Sequence, residues 1–159
     1  MRAHSRGAAE GQVRLNIPAR MDCIGLLGTA IRAVSLQAGL TLERSEQMEL
    51  AVIEAITNII RHGVIHRQES AIDVQVKAFE HLLEYQIKDE GQPIPAALLV
   101  QPDRDIFDYE DIALEDLPEG GLGMALIRSI ADEMEYQSGS DGNVMTLRRY
   151  RESPDYDRV

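Results

Sequence analysis

The chain has 159 residues, 44% of them hydrophobic, which is enough for one domain with a real core and too little for two comfortable ones. A net charge of −11 argues against nucleic acid, whose phosphates need Lys and Arg to displace counterions, and disfavours an anionic membrane surface. The single Cys23 rules out an internal disulfide framework, and no stretch approaches the roughly 20 apolar residues of a bilayer span. The opening MRAHSRGAAEGQ lacks an apolar leader core, so a cytoplasmic location is expected, with proteins or a cation-borne ligand as partners.

Residues 1 to about 10 read as a polar tail. QVRLNI alternates apolar and polar and predicts a first strand. Pro18 introduces a helical pattern through about Ala38, closed by Gly39, and a second helix runs from Thr41 to Arg61 or His62, with Thr41 or Ser45 as N-cap and Gly63 as its end. AIDVQVKAF and LLEYQIKD are period-2 strands joined by a tight hairpin at Glu80 and His81. EGQPIP breaks the pattern. The stretch 101–119 then holds eight acidic residues against one Arg104, a net of −7, so this one segment makes the chain acidic. GGLG opens a third helix through about Glu133, and MEYQS, a turn at GSDGN and VMTLRRY form a closing hairpin before a terminal tail. This order predicts one α+β domain over 11–150, with helices on one face of a sheet.

Chemistry concentrates in three places. In EAITNIIRHG, at roughly 100° per residue, Glu54, Asn58, Arg61 and His62 fall on one side of the second helix, and Val52, Ile53, Ile56, Ile59 and Ile60 on the other. A solvated amphipathic face has the same pattern, but so does a site where Asn58 lends an oxygen to Mg²⁺, Glu54 accepts a proton and Arg61 meets a phosphate. DEGQP follows a strand directly. Asp89 there is an acceptor that reads an exocyclic amine, and Gly91, lacking a Cβ, lets a flat base approach; an ordinary strand-to-loop turn is the plainer reading. In EGGLGMALI, successive amides at a helix N-terminus suit a phosphate.

The ordered set E-x-x-x-N-x-x-R-H-G, then D-x-G-x-P, then G-x-G and a strand Thr, resembles the ATP-binding superfamily of gyrase B, MutL and histidine kinases. Its nearest likeness is to the bacterial anti-sigma-factor serine/threonine kinases, over residues 11–150. The resemblance implies a Bergerat-type two-layer fold, helices on a mixed, mostly antiparallel sheet. It implies ATP and Mg²⁺ as cofactors, Asn58 as magnesium ligand and Glu54 as catalytic base. Arg61 and His62 would flank the nucleotide, Asp89, Gly91, Pro93 and Thr146 would form the base pocket, and Gly121, Leu122 and Gly123 would pass the phosphates. Residues 95–120 would be the ATP lid. The implied partners are a sigma factor and an antagonist protein that is phosphorylated, with a homodimer as the assembly.

Some relatives carry a basic or hydroxyl residue just before the Gly-rich loop. Here Pro118 and Glu119 stand there, leaving Arg104 and Arg61 as the local cations. The Walker pattern GxxxxGK[ST] and the HRD and DFG sequences are absent, and a histidine-kinase catalytic domain is not the expected reading. His62 and His66 have a metal-compatible spacing, but Gly63 interrupts the helix between them. The alternative function is a nucleotide-sensing module that holds a sigma factor without phosphoryl transfer.

Overall fold

A computed structural model describes residues 7–63, 70–99 and 121–151. Most of the expected lid, the acidic stretch with Arg104, His66, Pro118, Glu119, Gly120 and residues 1–6 and 152–159 of the tails lie outside the described residues.

Strand β1 (Gly11–Pro18) leads through a short 3₁₀ turn, Met21–Cys23, into α1 (Ile24–Gln37). Gly39, at φ +97°, ends that helix in the left-handed region that glycine adopts without strain. Helix α2 (Leu42–Asn58) is capped by Thr41, whose hydroxyl accepts from the Arg44 amide at 3.3 Å. Ser45, the other cap candidate, is buried inside the helix.

The α-helix does not run on to Arg61 or His62. It stops at Asn58, and Ile59–Gly63 form a single π-helical turn. Such turns are rare and cluster at functional sites, because the widened backbone re-aims the side chains that follow.

The sheet comes from β1, β2 (Ala71–Ala78), β3 (Leu82–Asp89), β4 (Glu133–Gly139) and β5 (Gly142–Tyr150). Its spatial order is β1-β2-β3-β5-β4, and each pairing is antiparallel. Between β3 and β4 lie the one-turn helix α3 (Ala96–Leu99) and α4 (Gly121–Ile130). Helix α4 ends three residues earlier than its apolar pattern predicts, because Glu133 already pairs with Arg148 in the sheet.

Alternation decides which side chains meet the helices. Val74, Val76, Tyr85, Ile87, Met145 and Leu147 point to the helical face, and α1, α2 and α4 cover them with Leu27, Ile31, Met48, Val52, Ile56 and Ile127. Each such side chain contributes roughly 1.5–3 kcal/mol on burial. In the middle of this core the Tyr85 hydroxyl meets Ser35 Oγ at 2.6 Å, which satisfies the one polar atom that a buried tyrosine brings.

The opposite face is polar. Arg148, only 2% exposed, donates to Glu84 at 2.8 Å, Glu133 at 2.9 Å and Glu135 at 2.8 Å, stitching β3, β5 and β4 together.

Candidate active site

The last turn of α2, the end of β3 and the first turn of α4 converge on a cavity of about 420 Å³. Asn58, Ile59 and His62 enter it from α2 and the π turn. Asp89 enters from β3, Met124 from α4 and Tyr136 from β4, while Gln92, Pro93, Ile94, Pro95 and Leu98 close one wall.

Asp89 is 6% exposed. Its Oδ1 accepts from the Gly91 amide at 2.8 Å and from Asn143 Nδ2 at 3.0 Å. The same Asn143 nitrogen donates to the Gly91 carbonyl at 3.0 Å. One carboxylate oxygen is thereby locked, while Oδ2 accepts no hydrogen bond among the described residues and remains for a donor inside the cavity. Gly142, at φ +104°, makes this possible: a Cβ there would stand 2.5 Å from the Asp89 carbonyl oxygen.

Glu54 lies one helical turn before Asn58 and does not line the cavity; it sits under the start of α4. A Cβ on Gly123 would collide with Glu54 Oε1 and stand 3.0 Å from Asn58 Nδ2. The glycine therefore lets the first turn of α4 rest directly on the carboxylate and the carboxamide. The G-x-G stretch is already helical, since α4 begins at Gly121, and Leu122 is 37% exposed.

Arg61 is exposed and is not among the cavity-lining residues. His62 lines the cavity, four residues after Asn58 on the same helical side, and is itself exposed.

Thr146 requires a correction. It pairs with Gln86 and Glu135, shares its face with Arg148, and points away from the helices and the cavity. The β5 side chain beside Asp89 is Asn143, directly opposite it in the ladder. The apolar parity of Met145 and Leu147 already carries that signal, since residues an even number away share their face. Tyr136, which lines the cavity, is another site residue that sequence reasoning missed. Its hydroxyl accepts from the Ile94 amide at 2.9 Å and holds the wall segment onto β4.

Residues 17–149 match the model of the histidine kinase-like ATPase domain. The chain is 28% identical over 139 residues to the serine-protein kinase RsbW of Bacillus subtilis, covering 87% of this chain and 84% of that one. It is 29% identical over 149 residues to the RsbW kinase of Bacillus pumilus, covering 91% and 90%. A crystal structure of the RsbU and RsbW domains of a Mycobacterium tuberculosis protein superposes with a TM-score of 0.61 at 16% identity, covering 88% of this chain and 32% of that one. A histidine kinase domain from Erythrobacter litoralis gives 0.51 at 19% identity, covering 92% and 66%; both likenesses show the fold.

An antiparallel sheet layered with helices, a locked aspartate at a strand end and a glycine-led helix on a Glu/Asn pair define an ATP-binding domain of the histidine kinase type. The chain belongs to the histidine kinase-like ATPase family, on its branch of anti-sigma-factor serine kinases. Among the described residues no helix is long and apolar enough to cross a membrane.

Proposed function

We propose that the chain is an Mg²⁺- and ATP-dependent protein serine/threonine kinase that acts as an anti-sigma factor. Its phosphorylation substrate would be an antagonist protein that competes with the sigma factor for the kinase. The observation that carries the reading is the shared cavity of Asp89 and Asn58, with Glu54 and Gly123 packed at its α2–α4 edge.

Asp89 Oδ2 would take the exocyclic amine of adenine, Gly91 and Pro93 would lie along the base, and Gly121 to Gly123 would carry the phosphates at the start of α4. Asn58 would hold Mg²⁺ through its amide oxygen. One protein ligand suffices, because this ion is commonly bound by few side chains together with substrate phosphates and water. When bound, Mg²⁺ supplies charge neutralisation to the triphosphate.

The hydroxyl of the antagonist attacks the γ-phosphorus as the bond to ADP breaks, and its proton passes to Glu54. The modified antagonist gains roughly −1.5 to −2 charges. Facing a chain of net −11, it is repelled, and its release frees surface for the sigma factor. Two protomers forming a homodimer and a cytoplasmic location complete the proposal.

The test is calorimetric titration with ATP, with Mg²⁺ and then with EDTA, followed by phosphate transfer to the antagonist. Metal-dependent binding at micromolar ATP, lost in Asn58→Ala, together with transfer lost in Glu54→Ala, is the expected result. Transfer by Glu54→Ala at the wild-type rate overturns the general-base role. Binding without transfer by the wild type replaces the kinase with a nucleotide-sensing sigma-factor holdase.

A further inference from the structure

We propose that Tyr136 is a specificity-determining residue of the base pocket, whose phenolic O–H donates to a ring nitrogen of adenine, N1 or N7, beside the amine taken by Asp89. This inference rests on the ATP reading of the cavity.

A carboxylate alone reads a purine incompletely. Asp89 accepts from the amine of adenine, but a carboxylate accepts equally well from the N1–H of guanine. A donor beside it adds a second contact, to a ring nitrogen that flanks the amine. With position 6 of the purine set against Asp89, adenine offers a donor there and an acceptor on either flank, whereas guanine offers an acceptor to the carboxylate.

The donor cannot come from the places that the sequence suggests. Thr146 faces the other side of the sheet. Asn143 stands in the right place, but its amide nitrogen already serves Asp89 Oδ1 and the Gly91 carbonyl. Asn58 belongs to the α2–α4 edge beside Gly123.

Tyr136 has the required chemistry. It lines the same cavity as Asp89. It lies opposite Met145, whose face also carries Asn143, so β5 places Asp89 and Tyr136 on one side of the sheet, two strands apart and two residues out of register, roughly 12 Å between their Cα positions. Its oxygen accepts from the Ile94 amide, and among the described residues its own proton goes to no acceptor. A phenol with its acceptor side occupied by a backbone N–H is oriented, and its hydrogen is left for a ligand. Burial raises its pKa above the ordinary range, the Ile94 bond opposes this, and the Asp89 charge adds to the rise, so the donor form persists at neutral pH.

The test is a cycle between side chain and ligand, measured by calorimetry with ATP, 1-deaza-ATP and 7-deaza-ATP on the wild type and Tyr136→Phe. Phe keeps the ring and loses the hydroxyl, so the lost anchor on Ile94 weakens all three ligands alike. The expected result is that the wild type binds one deaza analogue about tenfold more weakly than ATP, one hydrogen bond's worth, whereas Tyr136→Phe binds that analogue and ATP equally. If Tyr136→Phe discriminates as the wild type does, or the wild type binds all three alike, the inference is overturned and the ATP site stands. If the wild type binds no ATP, the site reading falls and the inference with it.

Discussion

Asn143 Nδ2 donates to Asp89 Oδ1 at 3.0 Å across the β3–β5 ladder, linking residues 54 positions apart. This single amide also holds the Gly91 carbonyl, so the carboxylate and the backbone bend after β3 form one rigid unit. In Asn143→Ala both acceptors lose that donor. A loss of about 1–3 kcal/mol is expected, visible as ATP binding weakened roughly tenfold to a hundredfold. Asn143→Thr, with one hydroxyl donor, should fall between the two. Calorimetry on the three proteins checks the order.

Gly123→Ala separates helix stability from site geometry. Alanine is up to about 1 kcal/mol better than glycine within a helix, so α4 itself gains. The added methyl nevertheless collides with Glu54 Oε1 and crowds Asn58 Nδ2. Phosphate transfer should therefore drop at least about tenfold while the unfolding midpoint holds or rises. Unchanged transfer would show that the packing of α4 on Glu54 has no catalytic consequence.

Arg148 and its three carboxylates concern stability alone. Arg148→Met takes from Glu84, which is 3% exposed, the guanidinium that donates to it at 2.8 Å. Breaking such a cluster from one side costs about 3–5 kcal/mol, whereas an apolar replacement of both partners is often neutral. Urea unfolding should show a large loss for Arg148→Met and substantial recovery on adding Glu84→Met.

Tyr85 supplies a pH signature. Burial pushes its phenol above the ordinary value near 10, against a smaller opposite effect of the Ser35 bond. In the folded state the group holds its proton at a pH where the unfolded chain has released it. Its contribution to stability is therefore full below about pH 10 and is lost as pH rises through the folded value. Unfolding free energy measured between pH 8 and 11 should fall, and the fall should be shallower in Tyr85→Phe, which forfeits about 1 kcal/mol for the Ser35 hydrogen bond at neutral pH.

Much of this architecture was legible along the chain. The strands beginning at Gly11, Ala71 and Leu82 follow two-residue alternation, and Thr41 and Gly39 bound their helices for local reasons of capping and positive φ. The Glu54/Asn58 pair, the Asp89 turn and the glycines of α4 were identifiable as residue types whose order matches a family. What the motif order did not carry was the face of each strand residue. A threonine near the C-terminus matched the pattern in name, yet its parity places it with Arg148 on the polar side. The π turn was equally hidden, since Ile59 to Gly63 read as simple continuation of the helix.

By itself, then, the sequence determined the class of fold, the acidic character, the element order and the three chemical stretches. These depend on nearest-neighbour physics: helical period, strand alternation and the conformations open to glycine and proline. Only the tertiary structure decided that Asn143 faces Asp89, that Tyr136 joins them from the edge strand, that residues 92–98 wall the cavity and that Gly123 lies on Glu54. Those relations depend on ladder register and helix docking between distant segments. Both follow from burying the shared core as a whole, and no local stretch contains that information.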